Sequence, residues 1–596
     1  MCRIAGIIAQ NSSSEQLKHQ VTLMCNSMAH GGPDDFGVVV DDEKKVSLGN
    51  RRLSILDLSA AGHQPMFSDD EKIVIAYNGE IYNFKALKEQ LIREGFHFKT
   101  SSDTEVIIKA YQFWGENSFK KLNGIFALCL HDKTKNCCYL VRDQSGVKPL
   151  YYSKNIDQFT FASEVKAFAH SGVTPLGNEN WKIYYLAFGH IPEPFTTLKN
   201  VYSLPKGSFL KYQLSDGSFK IHPYFQFSTA IQIIDEGEAI IRIKEELNKA
   251  VKLQLISDAS IGVLFSGGLD SSIITLLADT YAKGNLTSIS ANFNEIDFSE
   301  SNYRQIISER VEAGHQEHLI TYRDFVYNFD TVLKNMDQPT TDGINTWFVC
   351  KCAKENGLKS VLSGLGADEL FGGYPSFDRI RKIQNLGRIS KELIKSARFL
   401  QNTKLNRLYY LSFQSPVGEY LCLRGLYTPD IIAKLLDIDV QTVINCLQNI
   451  PLNDTIRYLN DEERASWFEI NMYMQNQLLK DTDFMSMSHG VEVRVPFLDV
   501  NFVNLVTSIH PSIKFGVYQK KRLLIEAYKK ELPEQIFNRS KMGFTFPFQE
   551  WMVKNKEISS PDLYQNKKAK KLITSFNNHK LHWSSAFALY KVFHAS

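Results

Sequence analysis

The hydrophobic rhythm changes partway along the chain. In residues 1 to about 210 short alternating runs recur. Lys72-Ile73-Val74-Ile75-Ala76-Tyr77 and Phe126-Ala127-Leu128-Cys129-Leu130 suit strands. Leu204-Pro205-Lys206-Gly207-Ser208, followed by Asp216-Gly217, reads as turns between short strands. Helical spacing then takes over. Glu236-Gly237-Glu238-Ala239 opens a helix with Ile240, Ile243, Leu247, Ala250, Val251 and Leu253 on its apolar face. Strand-like segments at 261–264, 286–293 and 359–363 then alternate with helical ones starting at Ile273 and spanning 299–313. Such alternation predicts a parallel sheet with helices on both faces and ligands at the C-terminal strand ends. Residues 377 to about 465 read as an inserted helical layer or lid. The shift in pattern puts a boundary near 210–230. The expected units are 1–212, 230–555 and a helical tail, 556–596.

Composition narrows the class. The 596 residues are enough for two to four domains. Basic and acidic residues number 68 and 65, a balance that offers no general pull toward nucleic acid or membrane. The Lys567-Lys568-Ala569-Lys570-Lys571 run reads as a solvated helix face. No apolar run approaches the roughly 18 residues of a spanning helix, and the N-terminus lacks the marks of a signal peptide. Nine cysteines without paired spacing suggest reduced thiols, with Cys350 and Cys352 in a helix core, and a cytoplasmic protein.

The chemistry centres on Phe265-Ser266-Gly267-Gly268-Leu269-Asp270-Ser271-Ser272. An apolar strand precedes it and an apolar helix follows. Glycines allow close backbone approach, N–H groups and hydroxyls point inward, and the helix N-terminus favours negative charge. Asp270 adds a carboxylate suited to a phosphate-bound Mg²⁺. No Lys follows the glycines, so this is not a Walker A loop. The stretch resembles the pyrophosphate loop of the ATP-pyrophosphatase superfamily, whose members cleave ATP between its α and β phosphates and adenylate a substrate.

A second group of residues lies near the N-terminus. Cys2 follows the initiator Met, and removal of Met1 would give one residue a thiol and an α-amine that can serve as its base. Arg51-Arg52-Leu53-Ser54, Tyr77-Asn78-Gly79-Glu80, Ser101-Ser102-Asp103, Leu122-Asn123-Gly124, Arg142-Asp143, Lys148-Pro149-Leu150 and Ala162-Ser163-Glu164 follow in order. Together they resemble the class II glutamine amidotransferase domain, an N-terminal-nucleophile (Ntn) αββα sandwich of two antiparallel sheets between helix layers. The resemblance implies that Cys2 attacks the glutamine amide and that Asn78 and the Gly79 N–H form an oxyanion hole. It implies that Arg52 holds the α-carboxylate and that Asp103 and Glu80 bind the α-ammonium. Locally, Asn78-Gly79 also reads as a hairpin turn and Asp103 as a helix N-cap.

The C-terminal half adds Ser363-Gly364-Leu365-Gly366-Ala367-Asp368-Glu369-Leu370-Phe371-Gly372-Gly373-Tyr374, the 481–483 and 487–499 stretches, Lys521, Arg539, Lys541, Gly543-Phe544 and Trp551. With the loop, these resemble the synthetase domain of glutamine-dependent asparagine synthetases, here a doubly wound parallel-sheet domain with helical additions. The match runs in order through both halves. Carried over, it places Ser266, Gly267, Gly268, Asp270, Ser271 and Ser272 on pyrophosphate. Leu264, Ser363 and Gly364 would line the AMP site, and Asp270 and Asp368 would hold Mg²⁺. Lys521 would neutralise charge in the transition state. Glu492 and Arg494 stand either at the acceptor pocket or in a buried ion pair. The implied reaction uses ATP with Mg²⁺, glutamine, and aspartate or a related acid, with a homodimer as the expected assembly.

Four positions depart from the family pattern. Arg3 stands where Gly is usual, and Gly31 stands where an Arg precedes Gly-Pro-Asp-Asp. Leu365 replaces an acidic residue found in many asparagine-forming relatives, and Ile525 replaces a frequent Arg. The first two bear on glutamine use and Leu365 bears on the acceptor acid.

Overall fold

A computed structural model describes residues 2–594 apart from 229, 283, 296, 297, 299, 387–389, 400–402, 517, 518, 540–542 and 544, and omits the side chains of 399, 403, 404 and 454. Lys541 and Phe544 of the C-terminal match therefore lie outside the described residues, as does position 299 of the expected helix.

Among the described residues the N-terminal half contains twelve strands: β1 Cys2–Ile8, β2 Asp35–Asp41, β3 Val46–Arg52, β4 Met66–Phe67, β5 Ile73–Ile81, β6 Gly124–Asp132, β7 Cys137–Arg142, β8 Tyr151–Lys154, β9 Phe159–Ala162, β10 Val201–Ser203, β11 Ser208–Gln213 and β12 Phe219–Pro223. They form two six-stranded antiparallel sheets, ordered β10-β8-β9-β1-β3-β2 and β12-β11-β7-β6-β5-β4. Alternation assigns each strand two jobs. On β1, Ile4 and Ile8 meet Val74 and Ala76 of β5 between the sheets. Ala5 and Ile7 face outward onto Leu17, Val21 and Met24 of the helix Ser14–Ser27. On β5, Ile75 and Tyr77 face outward onto Val106, Ile107 and Tyr111 of the helix Asp103–Trp114. The result is the expected αββα sandwich. Because β11 and β12 belong to the second sheet, that sheet runs past residue 212 to Pro223.

The C-terminal half is built on five parallel strands: β13 Ile261–Leu264, β14 Thr287–Asn292, β15 Gly314–Leu319, β16 Ser360–Leu362 and β17 Glu492–Arg494, ordered β15-β14-β13-β16-β17. From β13 the chain first builds to one side and then returns to build on the other. The switch point lies between β13 and β16, which pair Ile261 with Ser360 and Val263 with Leu362. The helix Glu236–Gln254, capped by the Asp235 side chain, buries Ile243, Leu247, Ala250 and Val251 as its spacing predicts. The helix expected over 299–313 is shorter, Ser301–Ser308, because β15 begins at Gly314. That edge strand, Gly-His-Gln-Glu-His-Leu, is mostly polar and carries no strand-like alternation. The described residues of 376–468 are helical wherever they form regular elements, and the tail ends in the helices Lys567–Asn577 and Trp583–Phe593. Cys350 and Cys352 are buried on the helix Ile344–Glu355. Among the described residues no helix is long and apolar enough to cross a membrane.

Candidate active sites

The switch point opens into a cavity of about 820 Å³. The 265–268 turn leaves β13 and feeds the helix Leu269–Ala282. Gly267 takes φ +90°, a backbone conformation that costs glycine little. Inside the turn the Gly268 N–H donates to Ser266 Oγ at 3.2 Å, and the Ser266 and Ser271 hydroxyls are 3.1 Å apart. The turn after β16 lies against it so closely that a Cβ on Gly364 would stand 2.9 Å from Asp270 Cβ.

Of the residues assigned to ATP, Leu264, Ser266, Gly268, Asp270, Ser271, Ser363 and Gly364 line the cavity. Gly267 and Ser272 do not. Gly267 shapes the turn from behind, and Ser272 is buried on the helix. Leu365 and Ile525 are both on the wall.

Two carboxylates converge on one cation. Lys521 Nζ is 2.6 Å from Asp270 Oδ2 and 2.5 Å from Asp368 Oδ1. Burial works against its charge, but the two carboxylates outweigh it and raise its pKa above the ordinary lysine value. Lys521 also holds φ +55°, rare for a residue with a side chain. Gly373 leaves the space, since a Cβ there would overlap Asp368 and crowd Lys521. The paired carboxylates are hard oxygen donors set at a nucleotide-sized cavity, which is the donor type Mg²⁺ takes. Arg539 reaches the same turn, donating to the Gly267 carbonyl at 3.0 Å and to Glu300 at 2.6 Å.

Other wall residues carried no signal in the sequence because they come from elements far apart in the chain. Asp342 and Asn345 stand at the start of the helix Ile344–Glu355, and Tyr473 lies far downstream. Burial raises the carboxyl of Asp342 to about 6 and that of Asp481 well above the usual range. Glu369, which accepts from Tyr374 Oη at 2.8 Å, is raised to about 7 by burial and by Asp368.

The second site lies between the antiparallel sheets. Asn78 and Gly79 fall in the middle of β5, opposite Ala127 and Phe126, so the pair is not a hairpin turn. Cys2 and Asn78 share the inward faces of β1 and β5, and the Cys2 N–H donates to Asn78 Oδ1 at 3.1 Å. Asn78 Nδ2 is buried without a hydrogen-bond partner, leaving a donor beside the thiol. Burial pushes the Cys2 thiol above its ordinary value, opposed in part by the Leu53 backbone and by Arg52. The Arg52 guanidinium sits among the carbonyls of Leu56, Asp57 and Ser59. Asp103 is the first helical residue and not the N-cap, a role Ser102 takes. Asp103 Oδ2 accepts from Tyr77 Oη at 2.8 Å and from the Ile81 N–H at 2.9 Å. Burial raises both Asp103 and Glu80, with Asp103 and Glu492 adding repulsion at Glu80. Three carboxyl groups, Glu80, Asp103 and Glu492, share this corner with the Arg494 guanidinium.

Glu492 and Arg494 close that corner and do not line the switch-point cavity. Alternation along β17 turns Val493 to the cavity and its neighbours away from it. Arg494 Nε binds Glu492 Oε1 at 2.5 Å, Nη1 donates to the Gln254 and Ile256 carbonyls, and Nη2 stands 3.9 Å from Glu80 Oε2. Both side chains are completely buried. Removing one partner of such a pair costs about 3–5 kcal/mol. Arg494→Met is therefore expected to lower the denaturation midpoint sharply, and a midpoint equal to the parent's would refute this role.

Family models match both halves: a glutamine amidotransferase domain over residues 1–225 and asparagine synthase over residues 242–572. The chain is 29% identical to glutamine-hydrolyzing asparagine synthetase 1 of Bacillus subtilis (strain 168) over 93% of this chain and 88% of that protein. It is 35% identical to a putative glutamine-hydrolyzing asparagine synthetase 2 of Methanocaldococcus jannaschii over 65% of this chain and 80% of that one. It is also 25% identical to amidase chry2 of Gibberella zeae, over 92% and 90%.

Proposed function

Since this chain belongs to the asparagine synthase family and carries a glutamine amidotransferase domain, we propose that it hydrolyses glutamine at Cys2 and uses the nitrogen to amidate an adenylated carboxylic acid, with aspartate as the leading acceptor. The observation that carries the reading is the pairing of two distinct sites in one chain: a buried thiol beside an unpartnered amide donor, and a Lys521–Asp270–Asp368 cluster at a switch-point cavity.

In the first site the Cys2 sulfur attacks the side-chain carbonyl of glutamine. The thiol proton passes to the departing ammonia, by way of the Cys2 amine once Met1 is removed. Asn78 Nδ2, buried without a hydrogen-bond partner, and the Gly79 N–H would meet the developing oxyanion. The acidic corner of Glu80 and Asp103 suits the α-ammonium, because a bound cation would offset the burial, and the smaller like-charge repulsion, that raise both groups. Arg52 would meet the α-carboxylate. Water then releases glutamate from the thioester.

In the second site the 265–271 turn would cradle pyrophosphate, with Ser363 and Gly364 beside the AMP portion. Asp270 and Asp368 would hold Mg²⁺, which when bound offsets charge on the leaving pyrophosphate. Lys521 holds a fixed positive charge against the same phosphates. The acceptor carboxylate displaces pyrophosphate from ATP to form an acyl-AMP. Ammonia, shielded from water along its path between the sites, displaces AMP and leaves an amide.

The test is AMP and pyrophosphate formation from ATP with glutamine or ammonium chloride, across a panel of amino acids. Aspartate-dependent AMP is expected; ADP and orthophosphate as products would overturn the reading. A second reading, amidation of a different acid, is favoured by Leu365, which puts an aliphatic side chain on the cavity wall. It predicts stronger pyrophosphate release with another acid in the panel. At the glutaminase site, Asn78→Ala is expected to cut glutamate release by about 10²–10³-fold. A drop smaller than tenfold would remove Asn78 from the oxyanion hole.

A further inference from the structure

Arg3 follows the nucleophile in sequence but points to the other face of its strand. Cys2 shares the inward face with Ile4 and Ile8, whereas Arg3 shares the outward face with Ala5 and Ile7. Arg3 is therefore not placed to touch glutamine.

Its guanidinium is completely buried and binds two carboxylates from different halves of the chain. Nε is 2.6 Å from Glu164 Oε1, and Nη1 is 2.7 Å from Asp483 Oδ2. The other oxygen of Asp483 meets Lys148 Nζ at 2.9 Å, so both cations on this carboxylate come from the N-terminal half. Glu164 is also met by His30 and Lys166. The arrangement depends on Gly31, since a Cβ there would stand 2.8 Å from Arg3 Cγ and 2.9 Å from Nε. The two N-terminal departures from the family pattern are thus one structural change: the glycine makes the space that the arginine fills.

The far end of the clasp matters as much. Asp483 belongs to the helix Leu479–Met487, and on the same helix Asp481 and Thr482 line the nucleotide cavity. A single helical turn thus has the cavity on one side and the anchor of the Cys2 strand on the other. Separating buried charges in a medium that screens them poorly is costly, so strand and helix are held to move together.

We propose that the Arg3–Asp483 ion pair couples occupancy of the nucleotide cavity to the alignment of Cys2, making Arg3 a positioning residue for glutamine hydrolysis. The proposal rests on the two-site function proposed above. Linkage makes the effect reciprocal for binding: a ligand that shifts the helix alters the glutamine site, and glutamine alters nucleotide affinity.

The experiment measures glutamate release by the full chain as a function of glutamine concentration, with and without ATP, Mg²⁺ and the acceptor acid. In the parent, filling the cavity is expected to raise kcat/KM for glutamine by about 5–150-fold, the usual range of coupling between sites. Arg3→Met and Asp483→Asn are each expected to bring that ratio close to one. Arg3→Lys, which keeps the charge, is expected to retain part of it and serves where the methionine variant does not fold. A purely structural role would lower glutamate release equally in both conditions and leave the ratio intact, which would overturn the proposal. So would a parent enzyme whose glutamine hydrolysis ignores the cavity. A parent that releases no glutamate at all would overturn the assigned function itself, a different failure.

Discussion

Cys2→Ala is expected to abolish glutamine-dependent AMP formation and to leave ammonia-dependent AMP formation near the parent level. The two nitrogen sources meet the chain at different places. Glutamine requires a nucleophile between the antiparallel sheets, where Cys2 has Asn78 beside it. Free ammonia needs only the acyl-AMP at the parallel sheet. Loss of a covalent nucleophile leaves binding and oxyanion stabilisation alone, so glutamate release should fall by more than about three orders of magnitude. Folding should survive, because alanine removes one sulfur from a small buried residue. Parallel rates of AMP formation with glutamine and ammonia serve as the measurement. If the variant still used glutamine as the parent does, Cys2 would not be the nucleophile.

Lys521→Met should give the opposite phenotype. Lys521 is the cation on which Asp270 and Asp368 converge, and it faces the cavity. The methionine retains an aliphatic stem and removes the charge. A preorganised charge of this kind is worth about 10²–10³-fold in kcat. Pyrophosphate release should therefore drop by that factor with glutamine and with ammonia alike, while Cys2 remains able to hydrolyse glutamine. Equal losses from both nitrogen sources support the assignment; a loss confined to glutamine would place Lys521 in the wrong half.

Much of the fold could be read from pattern. Alternation in 72–77 and 126–130 marks β5 and β6 because each strand lies between a second sheet and a helix layer, and period-two burial is what that position demands. The helix Glu236–Gln254 was legible for the corresponding reason at helical period. The Ser-Gly-Gly turn was legible because a strand, a tight turn and a helix N-terminus leave a local signature. Asn78-Gly79 misled: local turn propensity points to a hairpin, and the ladder with β6 overrides it. The polar edge strand β15 was invisible, since an edge that faces water has no need of alternating apolar residues.

The sites show the same division. Residues in contiguous strings, Ser266 to Ser271 and Ser363 to Asp368, come together because the switch point brings the ends of β13 and β16 side by side. Sequence alone left Glu492 and Arg494 open between pocket and ion pair. The pleat of β17 decided it by sending Val493 to the cavity and closing the pair on itself beside Glu80.

Taken by itself, the chain's sequence determined its two-part architecture and the strand–turn–helix at Ser266 to Ser271, because each is written in short-range spacing that backbone geometry interprets directly. The tertiary structure alone decided that Lys521 stands between Asp270 and Asp368, and that Arg3 fills the space at Gly31 and reaches Asp483. All but the Arg3–Gly31 contact join residues more than 150 positions apart. Their strength comes from shared burial away from water, a property no local stretch possesses.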